Sequence, residues 1–288
     1  MNIKSESKLK PILTVIAATM LFSIGAPISK ITSGSPTTLI FFRCLTGLIS
    51  FAVVKLIKKD GPLFIIKPSL ILGGVVYAAS SICFYTSLNY TTSANATVLS
   101  NTSPFFIAIL GYIFLNEKPH KRDWIILLLI ICGIVLCFYN GLSAKGSVGD
   151  LFALGAGLIF AMLAVIIKRS RPGEELQPLI WGNLFAIIIT SPFLFTAGSI
   201  TIHDLIFFVI LGVFQMALPF FLYTKGQKDL GTMEASLFKL LEPILATIWT
   251  ALLIKEMPGI YSILGGALVI SALFIKTFLE YKNTRVNL

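Results

Sequence analysis

Apolar runs of about twenty residues alternate with short polar breaks along nearly the whole chain, a spacing that predicts ten membrane-spanning helices. The expected spans are residues 11–29, 37–54, 70–88, 94–115, 124–139, 151–167, 179–195, 205–223, 235–254 and 260–278. The breaks carry turn residues, as in Thr32-Ser33-Gly34-Ser35-Pro36 and Lys59-Asp60-Gly61-Pro62. The spans differ in polarity. The fifth and tenth hold almost no strongly polar side chains and are expected to face lipid. Polar residues collect in the third, fourth, eighth and ninth, which are expected to line an interior cavity, because hydrocarbon offers polar groups no partners.

The second half of the chain repeats the first. Pro104, Glu117 and Pro119 return as Pro243, Glu256 and Pro258, shifted by 139 positions. Shifted by 138, Leu13, Ala18, Phe22, Ala26, Ile28 and Lys30 return as Leu151, Ala156, Phe160, Ala164, Ile166 and Lys168, and Tyr85-Thr86 returns as Tyr223-Thr224. Each copy holds an odd number of crossings, so the second enters the membrane from the opposite side. The predicted fold is an all-α integral membrane protein with ten transmembrane helices, arranged as two inverted five-helix repeats around a central cavity. Residues 1–140 and 141–288 form the two halves of one structural domain. Inverted repeats recur in secondary transporters, where the halves enclose a site near the midplane.

Composition agrees with this arrangement. The chain is 56% hydrophobic and 12% charged, with a mean hydropathy of +0.90; soluble domains carry about a quarter charged residues. No length is left for a soluble catalytic domain. The net charge of +10 points to topology and not to nucleic acid, because nearly all Lys and Arg fall on one set of flanks. Lys30, Lys145 and Lys255 alone lie on the other side. That bias predicts a multi-pass protein of the cytoplasmic (inner) membrane with both termini in the cytoplasm. Recruitment of acidic lipid by the basic stretch from Lys55 to Lys59 is the functional alternative. Cys44, Cys83, Cys132 and Cys137 lie inside spans without metal-ligand spacing and read as packing residues. The first apolar stretch has no cleavage signature and reads as a retained helix.

Three constellations are candidates for solute binding. Tyr77, Ser81 and Tyr85 recur every four residues and share one face of the third span. Their repeat counterparts are Gln215, Pro219 and Tyr223. Hydrogen bonds between packed helices, or an interfacial aromatic belt for the outer tyrosines, are the alternatives. Pro104 and Pro243 stand mid-span in the fourth and ninth helices, where proline frees the carbonyl four residues back, those of Ser100 and Lys239. Ser100 and Asn101 therefore join the candidates. Paired breaks in two halves point to a transporter site; kinks that merely fit the bundle are the alternative. Arg43, Lys239 and Glu242 are ionisable residues within spans, with Glu234 near a span end. Lys239 and Glu242 can pair along one helix face, either as a structural ion pair or as solute anchors. In the second case Lys239 and Arg43 hold an anionic or zwitterionic solute, and Glu242 is the leading proton carrier.

Other chemistry lacks its residues. No phosphate-binding loop is present, and both histidines, His120 and His203, stand in connections, so neither a metal site nor a cofactor is expected. The first span has no acid to attract cationic drugs. The expected function is not enzymatic: it is secondary active transport of small polar or zwitterionic metabolites by alternating access, as an exporter or exchanger. An importer, and a membrane enzyme on lipid-linked substrates, are the rivals. Expected partners are the solute, the lipid bilayer and no nucleic acid, with Ser262 and Gly266 offering a small-residue face for a homodimer.

The chain resembles the drug/metabolite transporter superfamily, in its EamA-type branch of ten-helix carriers. The resemblance rests on Phe22, Lys30, Phe160, Lys168 and Arg43, and on two signatures. One runs from Ala94-Asn95-Ala96 through Pro104 to Asn116-Glu117-Lys118-Pro119. The other runs from Glu234-Ala235-Ser236-Leu237 through Leu241-Glu242-Pro243 to Lys255-Glu256-Met257-Pro258. It implies a ten-helix inverted-repeat basket that exports or exchanges small metabolites such as amino acids. Two features depart from the pattern: Phe22 stands where tryptophan is frequent, and Trp181-Gly182-Asn183 supplies no arginine to answer Arg43. Glu117 and Glu256 read as helix-end fasteners near Lys118 and Lys255.

Overall fold

A computed structural model describes residues 9–25, 28, 36–58, 61–91, 93–142, 147–196, 201–255 and 259–286, and every regular element among them is helical. Ala26, Lys30, Lys145, Glu256, Met257 and Pro258 lie outside the described residues. The first apolar runs give α1 (Leu9–Phe22), α2 (Pro36–Lys58) and α3 (Pro68–Tyr90). The fourth run is split into α4 (Ser93–Ser100) and α5 (Ser103–Leu115), and α6 spans Lys121–Cys137. The second half begins with α7 (Ser147–Arg169) and α8 (Gln177–Thr190). Its eighth run holds α9 (Ile202–Ile210), a π turn (Leu211–Ala217) and α10 (Leu218–Asp229). The ninth is split into α11 (Thr232–Lys239) and α12 (Glu242–Ile254), and α13 covers Ile260–Val286.

Eight segments among the described residues are long and apolar enough to cross a membrane. The expected first and fifth spans are shorter, with helices of 14 and 17 residues. Each ends for a local reason. After Phe22 the chain turns, and the Ser23 hydroxyl donates to the Met20 carbonyl at 2.7 Å. Past Cys137 the helix tightens into a 3-10 turn at Tyr139–Gly141.

Both prolines act where the sequence places them. Pro104 and Pro243 are buried in the first turns of α5 and α12. Neither has an N–H for the carbonyl four residues back, so α4 stops at Ser100 and α11 at Lys239. The joining turns match: Thr102 N–H donates to Leu99 O at 3.2 Å, and Leu241 N–H to Phe238 O at 3.2 Å. The eighth run departs from a continuous helix. Leu218 N–H reaches back five residues to the Val213 carbonyl, because Pro219 leaves the Gln215 carbonyl without its regular donor. Such π turns re-aim the side chains they carry.

In the bundle, α3 packs along α7 and α8, while α10 packs along α1 and the π turn packs on α2. α2 also meets α8, α5 meets α7 and α11, and α6 pairs with α13. Glycines bring the last pair together: a Cβ on Gly265 would stand 2.4 Å from the Gly133 carbonyl oxygen. Ser262 donates to the Cys137 carbonyl at 2.9 Å, and Gly266 lies against Ile244 of α12. The small-residue face expected to receive a second copy is therefore turned inward, its close approach already taken by α6 and α12. On the outside, α6 and α13 expose Ile125, Leu128, Ile263, Leu264 and Phe274, the apolar surface that a bilayer covers.

The connection between α2 and α3 is held by the other half. Gly61 takes the left-handed φ of 74° that its turn requires. The buried Gln177 side chain accepts from Ile65 N–H at 3.0 Å and donates to the Leu63 carbonyl at 3.2 Å, and Trp181 Nε1 donates to the Ile65 carbonyl at 3.1 Å.

Candidate functional site

The predicted site residues fall into two clusters joined by aromatic rings. In the first, α2 carries Arg43 against the π turn, where Arg43 Nη1 donates to Gln215 Oε1 at 3.2 Å. The guanidinium also lies over the Tyr85 ring, 5.6 Å from its centroid. Arg43 is 9% exposed, and its Nε is buried with no hydrogen-bond partner among the described residues. Gln215 comes this close because the π turn directs it toward α1, onto Gly25. A Cβ at Gly25 would meet Gln215 Nε2 at 2.8 Å. Tyr77 is buried on Gly182, whose missing Cβ makes room for the ring: a Cβ there would stand 2.4 Å from it. Ser81 follows Tyr77 on the same helix face and is half-buried.

In the second cluster, the Lys239 ammonium meets the Glu242 carboxylate at 2.7 Å across the break between α11 and α12. The ammonium lies between two rings, 5.3 Å from the centroid of Phe22 and 5.0 Å from that of Phe160. Phe22 and Phe160 are repeat equivalents, so each half contributes one ring, and a cation over an aromatic face is stabilised by the ring quadrupole. Neither member of the ion pair is fully enclosed, at 21% and 28% side-chain exposure. The corresponding turn of the first half carries Ser100 and Ser103 instead, so the pair marks one half only.

A run of edge-on rings connects the clusters. Phe22 meets Phe220 at 4.9 Å and Tyr223 at 6.3 Å, and Phe220 meets Tyr77 at 5.7 Å between centroids. Tyr223, which the sequence also allowed at an interfacial belt, is buried at 1% exposure. Two predicted residues are turned away from this assembly. Ser100 Oγ donates to the Thr97 carbonyl at 3.2 Å, and Asn101 Nδ2 donates to the same carbonyl at 2.8 Å. Short polar side chains at a helix end satisfy the backbone beside them, so these two finish α4.

Three contributors were not legible as site residues. Gly25 seats Gln215, Gly182 seats Tyr77, and Trp249 Nε1 donates to Ser23 Oγ at 3.0 Å, tying α12 to the end of α1. The repeat did signal the Phe22 and Phe160 clamp, since both rings recur at matching positions, but not that they meet on Lys239. Glu117 is a helix-end fastener, though its partner is not Lys118. It accepts from Thr232 N–H at 2.8 Å and from the Thr232 hydroxyl at 3.1 Å, capping the start of α11. A cavity of about 470 Å³ lined by Val75, Ala78, Ile82, Cys83, Phe185 and Ile189 opens on the apolar flank between α3 and α8, and none of the predicted site residues lines it.

The model of the EamA-like transporter family matches twice, over residues 9–139 and 147–278. The chain belongs to the EamA-like transporter family. It is thus a multi-pass membrane protein of a transporter family, and the two matches divide it where the sequence repeat does. Among curated relatives, it is 25% identical over 91% of its length to the uncharacterized transporter YwfM of Bacillus subtilis, covering 92% of that protein. It is 22% identical to the pseudopaline exporter CntI of Pseudomonas aeruginosa, over 91% of this chain and 93% of that one. Solute carrier family 35 member G1 of Mus musculus is 24% identical over 89% of this chain and 74% of its own length. A solved structure, titled only as the crystal structure of a protein, shares the fold at 16% identity with a TM-score of 0.82, covering 95% of this chain and 99% of that one.

Proposed function

We propose that the protein is a secondary active transporter that moves small polar or zwitterionic, amino-acid-like metabolites across the cytoplasmic membrane by alternating access, as an exporter or exchanger. The observation that carries this reading is the Lys239–Glu242 pair, held at a helix break between rings from both halves. An ion pair within a span is costly unless it is enclosed by protein or water, and a break at that depth is tolerated only where backbone is buried or lines a cavity. Both halves break at matching positions, the pattern that accompanies a substrate site in inverted-repeat carriers.

The proposed architecture is ten crossings, in inverted halves of residues 1–140 and 141–288 around a central site. The packing supports it: α3 on α7 and α8 has its counterpart in α10 on α1 and the π turn on α2. Rocking of one set of helices against the other would expose the break region to each side in turn. Glu242 is the proposed proton carrier, and the Lys-rich flanks support a topology with both termini in the cytoplasm. The family is one of transporters, which supports a reading that is not enzymatic.

The test is flux in proteoliposomes, with solutes first selected by thermal shift of the purified protein. Lys239→Ala and Glu242→Gln are expected to abolish transport while leaving a folded, membrane-inserted protein. Wild-type rates in both variants would remove the pair from the mechanism, and counterflow decides direction.

A further inference from the structure

We infer that Arg43 and Gln215 form a carboxylate-binding subsite, and that the transported solute carries a free carboxylate which docks on the Arg43 guanidinium. The inference rests on the carrier reading above and narrows its solute class. A guanidinium presents five N–H donors in a planar fork and stays charged at any accessible pH. At Arg43 one of those donors is used by Gln215, the Cys44 thiol lies beside the guanidinium, and Nε is buried without a hydrogen-bond partner among the described residues. The Tyr85 face below the guanidinium stabilises its charge but accepts no hydrogen bond in the fork plane. A buried cation without a counter-anion is costly. No ion pair within the described residues includes Arg43.

Gln215 has the chemistry of a placeholder. Its amide oxygen gives Arg43 a neutral acceptor where a carboxylate oxygen would make the shorter, charge-assisted bond. Its amide nitrogen is a donor for the same incoming anion. The side chain can swing aside, because it is half-buried and rests on Gly25, where no Cβ confines it. The two faces of the subsite thus come from different elements, α2 and the π turn that Pro219 imposes. A solute that bridges them would couple the two.

A carboxylate presents two oxygens in one plane, the fit for two adjacent N–H groups of the Arg43 fork. Tyr85 lies under Arg43, and Tyr77, Phe220 and Phe22 follow as a chain of packed rings, apolar surface that suits an apolar or aromatic body behind the carboxylate.

The test uses two probes of the same shape, 3-phenylpropionate and 3-phenylpropionamide, added to the purified full-length protein. The acid is expected to raise the melting temperature in a saturable way, and the amide is not. Arg43→Gln is expected to weaken acid binding on the order of a hundredfold, the effect of losing hydrogen bonds to a charged group. Should Arg43→Gln fail to fold, Arg43→Lys keeps the charge without the fork and is expected to weaken the acid at least tenfold. Equal shifts with acid and amide, no shift with either, or an acid-specific shift that survives in the Arg43 variants would each overturn the subsite. Transport is read separately. A protein that binds the acid selectively but moves no solute would defeat the carrier reading and leave the subsite standing. One that moves amides as fast as acids would keep the carrier and defeat the subsite.

Discussion

Lys168 and Lys228 cap one another's helices. Lys168 Nζ donates to the carbonyls of Gln227 at 2.7 Å and Lys228 at 2.8 Å, and to that of Leu230, where α10 ends. Lys228 Nζ donates in return to the Lys168 carbonyl at 3.1 Å and to that of Ser170, where α7 ends. The last carbonyls of a helix have no intrahelical donors and carry the negative end of its dipole, so each lysine satisfies groups that the other helix leaves open. The Gln227 side chain adds a bond to the Ala164 carbonyl at 2.9 Å. This end of the bundle is stitched by backbone acceptors more than by carboxylates.

Replacing Lys168 by methionine keeps its stem and removes three donors. Lys168→Met is expected to lower stability by about 1–3 kcal/mol, the cost of leaving partly buried acceptors unpaired. Thermal unfolding in detergent measures it. Hydrogen exchange should quicken at the ends of α7 and α10 before it does in α6 and α13.

Glu117 holds the start of α11 from a different part of the chain. Glu117→Ala is expected to cost about 0.5–2 kcal/mol, the usual range for a lost helix cap. Glu117→Gln, which keeps one acceptor oxygen, should cost less. An unchanged melting temperature in the alanine variant would show that α11 does not depend on this tie.

The glycines of α13 and α7 make opposite predictions. A Cβ at Gly265 would meet backbone on α6, at 2.4 Å from Gly133 O and 2.5 Å from Cys137 N. Backbone cannot rotate away, so Gly265→Ala is expected to destabilise by about 1–3 kcal/mol or more. At Gly155 nothing lies within 4 Å, and Gly155→Ala should be neutral or stabilising by up to about 1 kcal/mol, through helix propensity alone. Equal effects of the two substitutions on melting temperature would contradict the packing of α6 on α13.

Outside the spans, Glu174 pairs with Lys67 and joins the two halves through their connections. The hydrogen bond from the Lys67 ammonium holds the Glu174 carboxyl below the usual carboxylate range. A carboxyl with a depressed folded pKa stabilises the fold above its unfolded value, near 4.3, and that contribution fades as pH falls through the folded value. The melting temperatures of the wild type and Glu174→Gln should therefore differ at neutral pH and converge below about pH 4. A gap that persists into acid would show that the carboxylate charge is not what Lys67 recognises.

How far the sequence reached can be judged from particular residues. Pro104 and Pro243 announced the two breaks to within a few residues, because a missing N–H acts on the carbonyl four positions back whatever surrounds it. The matching left-handed residues that end α5 and α12, Asn116 at φ 54° and Lys255 at φ 62°, also obey the repeat. The π turn is not legible in the sequence. Pro219 is the repeat counterpart of Ser81, but a proline in an apolar run can be absorbed by a kink, a break or a widened turn. Only the packing of Gly212 on Thr46 and Gly47 of α2 selects the last.

By itself the sequence determined the long apolar helices and the breaks at Pro104 and Pro243, since each follows from hydropathy over one crossing length or from local backbone chemistry. The tertiary structure alone decided that Phe22 and Phe160 close on Lys239 and that Gln215 reaches Arg43. Those outcomes depend on which helices become neighbours and at what rotation. That choice is made by side-chain packing between segments far apart in the chain, such as Arg43 and Gln215, whose separation is 172. No pattern within one span records it.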